Sequence, residues 1–65
     1  MSNLIKGIRM MRGLTQQEVA EKIGMSLRTF GRKEANPDTF TVGELKELAK
    51  LFEVKEEKFF QEKLT

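Results

Sequence analysis

The chain has 65 residues, with 12 Lys and Arg against 10 Asp and Glu, and it contains neither Cys nor His. A chain of this length has material for one core, so we expect a single domain over residues 1–65. The absent thiols and imidazoles remove the usual zinc ligands, disulfides and Cys or His catalysts, which predicts a protein without metal or cofactor.

The sequence also lacks the signals of a membrane or secreted protein. No apolar run approaches the roughly 20 residues of a membrane span, and the N-terminus has no signal-peptide pattern. We therefore expect a soluble, cytoplasmic protein that binds no membrane.

Positive charge is concentrated in the N-terminal half. Residues 1–35 contain seven Lys or Arg against three Glu, a net charge of +4. Residues 36–65 contain five Lys against seven acidic residues, a net charge of −2. A polyanion is therefore expected to meet the N-terminal half first.

Apolar residues at helical spacing predict a first helix over Leu4–Arg12, with Ser2 or Asn3 as N-cap and Gly13 as the stop. Its apolar stripe consists of Leu4, Ile5, Ile8 and Met11. Three methionines are expected to fill gaps in the core rather than to bind a partner. They are Met10, Met11 and Met25.

A capping box, T-Q-Q-E, predicts the start of the second helix at Thr15, where the hydroxyl and the Glu18 carboxylate each satisfy a backbone N–H group. The buried side of this helix is predicted to carry Val19, Ala20 and Ile23. Gly24 can adopt the left-handed conformation that ends the helix.

Ser26 is then the N-cap candidate for a third helix, in which Met25 and Phe30 turn inward. The opposite side of the third helix carries Leu27, Arg28, Gly31 and Arg32.

The segment A-N-P-D-T-F breaks the third helix, because Pro37 disfavours helical backbone in the residue before it. Thr41 begins a second capping box, closed by Glu44, and apolar steps of three and four residues predict an amphipathic fourth helix. Its core-facing residues are predicted to be Val42, Leu45, Leu48, Ala49 and Phe52. A short fifth helix is expected over residues 55–61, with Phe59 in the core and Phe60 in either the core or a subunit contact. The predicted fold is therefore an all-α, compact five-helix domain.

Ala20 and Gly24 predict how the second and third helices meet. Two short helices joined by a tight turn approach closely, so Ala20 leaves room and Gly24 supplies the turn conformation. This pattern predicts a helix-turn-helix over about residues 15–35.

Arg28 and Arg32 lie one turn apart on one side of the third helix, where their guanidinium groups can pair with guanine O6 and N7 in the major groove. Leu27 offers an apolar contact for a thymine methyl group.

The chain resembles the phage repressor and Cro family of helix-turn-helix DNA-binding proteins, which is XRE-like and lambda-repressor-like. The resemblance runs from Ile5 to about Phe60 through I-x-x-I-R-x-x-R-G-L-T-Q, x-E-V-A-E-K-I-G and V-x-E-L-x-E-L-A-K-L-F-x-V. It implies a lambda-repressor-like fold and sequence-specific binding of double-stranded DNA as a transcription regulator.

The resemblance also implies a role for particular residues. Base reading would fall to Ser26, Leu27, Arg28 and Arg32. Phosphate contacts would fall to Gln16 and Thr29, while Arg12 is either phosphate-facing or solvated. Arg9 and Glu34 would form an internal ion pair. The loop over residues 36–40 would lie along the second phosphate backbone.

Three features depart from the family pattern. Lys33 stands where relatives usually have an apolar residue, so the end of the third helix packs less firmly unless its stem lies on the core. Gly31 costs about 1 kcal/mol relative to Ala, so either a backbone approaches there or the helix is weakened. The region where relatives dimerise, residues 54–60, is charged here, which predicts a weak homodimer that DNA binding strengthens.

Other classes of function have less support. Glu56 and Glu57 are adjacent and point in different directions on a helix, and no Gly-rich phosphate loop is present, so we expect no enzyme and no small-molecule substrate. Arg28 and Arg32 are alternatively solvated surface charges, and Gln16 alternatively satisfies only backbone groups. The remaining alternative is a protein-interaction module that keeps the scaffold and binds a regulator or a toxin.

Overall fold

Four α-helices follow one another in the computed structural model, which describes residues 3–59. They are α1 (Leu4–Met11), α2 (Gln16–Lys22), α3 (Leu27–Ala35) and α4 (Val42–Phe52). A 3-10 turn, Pro37–Thr39, joins α3 to α4, and residues 57–59 are a fifth helical segment. Residues 3–59 contain no strand and no helix long and apolar enough to cross a membrane. The predicted all-α, five-helix fold is confirmed, while residues 60 and 61 of the predicted fifth helix lie outside the described residues.

Each α-helix begins at a polar side chain that caps exposed backbone N–H groups. The N-caps are Asn3, Thr15, Ser26 and Thr41. Thr15 and Thr41 each form the full capping box with the Glu three residues later. Replacing such a cap by Ala costs about 1 kcal/mol, so the local sequence fixes where the helices start. Hydrogen bonds from the backbone and then the hydroxyl of Thr15 lower the pKa of Glu18.

The turn between α2 and α3 depends on Gly24, whose φ of +74° lies in the left-handed region that favours glycine. The backbone N–H of Met25 donates to the Ala20 carbonyl at 2.9 Å across this turn. Ala20 is buried, and its small side chain lets α3 cross close to α2. Together α2, the turn and α3 form a helix-turn-helix.

Side chains from all four helices meet in one core. Its largest fully buried members are Phe30, Phe40, Phe52, Leu48 and Val19. The rings of Phe30 and Phe40 pack with centroids 5.9 Å apart, and Phe59 is buried as predicted. Ile23 and Met25 pack against the core while partly buried. Burying a Phe side chain contributes about 2 kcal/mol, so Phe30 holds one side of α3 against the protein and leaves the other side outward.

Three apolar residues predicted to be in the core are exposed instead. Met10 is 61% exposed and Met11 is 86% exposed, so neither fills a gap in the core. Ile5, Ile8 and Met11 are spaced by three residues, which is less than one helical turn. Met11 therefore lies about 120° around the helix axis from Ile5, on a side of α1 that does not face the core. Val42 is 54% exposed because it is the first residue of α4 and its side chain leans toward the helix start.

A buried carboxylate near the end of α3, Glu34, ties three helices together. Its Oε2 accepts from Arg9 Nε at 2.7 Å, and its Oε1 accepts from Arg9 Nη2 at 3.3 Å and from Gln16 Nε2 at 2.7 Å. Arg9 Nη1 also donates to the Leu14 carbonyl at 2.7 Å, and Asn3 Nδ2 donates to the Glu34 carbonyl at 2.6 Å. The Glu34 side chain is only 3% exposed, so water screens this ion pair weakly. These contacts fix the rotation of α3 against α1 and α2.

A second ion pair joins the end of α3 to the start of α4. Lys33 Nζ donates to Glu44 Oε1 at 2.6 Å and lies 6.0 Å from the centroid of the Phe40 ring. The same carboxylate accepts from the Thr41 backbone N–H at 2.9 Å. Partial burial raises the pKa of Glu44, but the hydrogen bonds from Lys33 and Thr41 outweigh it and hold the pKa below its usual value. Lys33 therefore fastens α3 to α4, and its stem lies near the Phe40 ring.

Glu34→Ala is expected to lower the free energy of unfolding by about 3 kcal/mol or more, because it leaves the charge of the largely buried Arg9 guanidinium without its carboxylate partner. Urea denaturation followed by circular dichroism measures the change. Glu47→Ala removes an exposed carboxylate from α4 and serves as the control, with an expected change within about 0.5 kcal/mol. Equal losses for the two variants would contradict the structural role of Glu34.

Lys33→Met keeps an apolar stem near Phe40 but removes the ammonium group, and we expect a loss of stability below about 1 kcal/mol at pH 7. The folded-state pKa of Glu44 lies below its ordinary value of 4.5. The stability that the ionised Glu44 carboxylate contributes is therefore fully present above pH 4.5 and is lost as the pH falls through the lower, folded-state pKa. Denaturation curves from pH 7 downward should converge for the variant and the parent chain below 4.5. A difference that persists unchanged at the lowest pH would contradict the pairing.

Candidate nucleic-acid interface

The outward side of α3 carries two exposed arginines one helical turn apart, Arg28 and Arg32. Phe30 and Glu34 are buried on the inward side of the same helix. Within residues 3–59, neither arginine side chain has a hydrogen bond or ion pair with another residue. Their guanidinium groups therefore face solvent with their hydrogen-bond donors open to an external acceptor.

An apolar side chain lies beside the arginines at the start of α3. Leu27 is 46% exposed, although it is the first residue of a helix that packs against the core. Gly31 lies one helical turn after Leu27 and has no side chain of its own. The outward side of α3 therefore combines two guanidinium groups with one exposed apolar side chain.

The hydroxyl groups of Ser26 and Thr29 are linked at the N-terminus of α3. Ser26 Oγ accepts from the Thr29 backbone N–H at 3.1 Å and donates to Thr29 Oγ1 at 2.9 Å. While it caps the helix, Ser26 can offer a ligand only a remaining lone pair. Thr29 keeps its own hydroxyl hydrogen for an outside acceptor such as a phosphate oxygen.

Gln16, the first residue of α2, is less available than its position at a helix N-terminus suggests. One hydrogen of its amide is donated to Glu34 Oε1, so the side chain is held against the buried ion pair. The second amide hydrogen has no acceptor among residues 3–59. Gln16 can therefore donate one hydrogen bond to a ligand without leaving Glu34.

A groove of about 360 Å³ opens where the end of α3 meets the 3-10 turn. It is lined by Thr29, Arg32, Lys33, Asn36 and Thr39. Of these side chains, Lys33 already donates to Glu44 and the Thr39 hydroxyl donates to the Asn36 carbonyl, whereas the Arg32 guanidinium has no partner among residues 3–59. The Arg32 guanidinium is therefore the cationic group at this groove that could bind an anion through charge-assisted hydrogen bonds.

Arg12 lies apart from this group, at the C-cap of α1. It is exposed, and its side chain has no hydrogen bond or ion pair within the described part of the chain. Its guanidinium is therefore solvated in the isolated domain and keeps its donors for an external acceptor such as a phosphate oxygen.

The region predicted to form a weak dimer turns its apolar side chains inward. Val54 packs against the core while partly buried, and Phe59 is 3% exposed. Lys55, Glu57 and Lys58 are exposed, and Phe60 lies outside the described residues. The homodimer remains a prediction.

Two contacts that shape the site have no local sequence signal. The hydrogen bond from Gln16 to Glu34 joins residues 18 apart, and the pair of Lys33 with Glu44 joins residues 11 apart. Neither spacing belongs to a capping or helical pattern, so only the packing of the helices brings these groups together. Residues 3–59 also hold no cluster of His, Cys, Asp and Glu that could bind a metal ion.

Comparison with protein families matches residues 5–59 to a helix-turn-helix family, the XRE, Cro and C1 type. Comparisons with curated proteins and with solved structures give no match. The matched range includes α3, the turn before it and the contacts of Glu34 with Arg9 and Gln16. Members of this family are non-catalytic DNA-binding domains of transcription regulators. The chain belongs to the XRE-type helix-turn-helix family.

Proposed function

We propose that this protein is a sequence-specific transcription regulator of the Cro or repressor type, which reads the major groove of double-stranded DNA with the helix that starts after Ser26. The observation that carries the proposal is the pair of exposed side chains Arg28 and Arg32, one turn apart and without internal partners. An arginine fork matches O6 and N7 of guanine, and one such pairing discriminates by about 1–3 kcal/mol. Leu27 adds an apolar contact for a thymine methyl group, and Ser26 can accept from a base amino group.

Phosphate contacts would set the position of α3 along the groove without reading sequence. Gln16 and Thr29 each keep one donor hydrogen for this purpose. Arg12 is the third candidate. The groove at the end of α3 and the loop over residues 36–40 would face the second strand.

Regulation would work by occupancy, because a bound domain blocks or redirects the polymerase. A weak homodimer strengthened on DNA would place two copies of α3 on half-sites centred about 10 bp apart on one side of the duplex.

Selection of binding sites from random duplex DNA tests the proposal. We expect an enriched motif, and Arg32→Ala should lose preference at one position per half-site, with a loss of affinity of about 1–3 kcal/mol. Lys50→Ala removes an exposed cation from the end of α4 and serves as the control that keeps the motif. No enrichment above background at moderate salt would contradict the proposal, since non-specific binding is mostly electrostatic.

A protein-interaction module that binds a regulator or a toxin is the second candidate, and the exposed side chains of Met10 and Met11 favour it. In that case DNA affinity would be weak and independent of sequence. Substitution of Arg28 and Arg32 would then leave the complex with the partner unchanged.

A further inference from the structure

Gly31 lies in the middle of α3, where the fold does not require glycine. Its φ is outside the left-handed region, and an added Cβ would meet only the Gln16 side chain, 3.8 Å from Oε1 and 4.0 Å from Nε2. Distances of this size are ordinary van der Waals contact. Gly inside a helix is nevertheless less favourable than Ala by roughly 0.5–1 kcal/mol. The glycine therefore weakens α3, and no close contact with another of residues 3–59 requires it.

The group nearest to an added side chain at position 31 is the Gln16 amide. A hydrogen bond to the buried Glu34 carboxylate fixes the orientation of this amide. Its Nε2 donates to Glu34 Oε1 at 2.7 Å, and that carboxylate is itself held by Arg9 Nε at 2.7 Å. The second N–H of the amide and its Oε1 have no hydrogen-bond partner within residues 3–59. A ligand reaching this amide would find it already oriented, which lowers the entropic cost of the contact.

Gly31 also adjoins the two arginines proposed to enter the groove. Arg32 is its neighbour in sequence, and Arg28 lies three residues earlier on the same exposed side of α3. A methyl group at position 31 would lie in van der Waals contact with the Gln16 amide, on the side of α3 that carries these arginines.

We infer that Gly31 is a positioning residue for DNA recognition, because its missing side chain lets a phosphate oxygen of the DNA strand reach the second N–H of the Gln16 amide past α3. This inference rests on the proposed DNA binding. The amide stays on Glu34 and donates a second hydrogen bond outward, so the same side chain connects the buried ion pair to the DNA backbone.

Gly31→Ala separates this role from a structural one. We expect the melting temperature to rise by about 4 °C, because alanine stabilises the helix, while affinity for the selected duplex falls about tenfold through the lost bond to a charged acceptor. Gly7→Ala is the matched control, since Gly7 is an exposed glycine within α1 with nothing within 4 Å of an added Cβ. It should give a similar rise in melting temperature and unchanged affinity.

Combining Gly31→Ala with Gln16→Ala tests whether the effect passes through the amide. The tenfold loss from Gly31→Ala should disappear when Gln16 is already alanine, because the blocked donor is then absent. Gly31→Ala with parental affinity, or a full loss that persists beside Gln16→Ala, would overturn the inference while leaving sequence-specific binding intact. A parental chain without sequence preference would instead overturn the proposed function.

Discussion

The pairing of the buried Glu34 carboxylate is the interaction on which the rest of the structure depends. A buried charge is tolerated only when it is paired and hydrogen-bonded, and Glu34 meets this condition through Arg9 and Gln16. Because these donors come from α1 and α2, the carboxylate can be satisfied only when the three helices are packed as they are. The rotation of α3 that buries Glu34 and Phe30 is the same rotation that turns Arg28 and Arg32 outward.

The cations of this small protein consequently fall into two groups, although the net charge is only +2. Arg9 and Lys33 are bound internally and hold helices together, whereas Arg28 and Arg32 have no carboxylate partner in the described part of the chain. Exposed cations cost little in an isolated domain because water solvates them. The same groups would become strong donors on meeting phosphate or guanine, so the proposed recognition uses charges that folding leaves unpaired.

Much of the fold can be predicted from the sequence, because its signals are local. The capping box at Thr15 and the left-handed turn at Gly24 each depend on a few neighbouring residues and form as predicted. The exposure of Met11 could not be predicted from an apolar stripe alone, since the stripe drifts around the helix. The hydrogen bond of Gln16 to Glu34 and the pairing of Lys33 with Glu44 also escape prediction, because they require the relative placement of separate helices.

Methylation interference on a selected duplex tests most directly whether α3 lies in the major groove. Guanine N7 and adenine N3 are exposed in the major and the minor groove, respectively, so methylation of each reports on one groove. Methylation of guanine N7 within each half-site should abolish binding, whereas methylation of adenine N3 there should be tolerated. The opposite pattern, with N7 methylation tolerated and N3 methylation blocking the complex, would contradict the account.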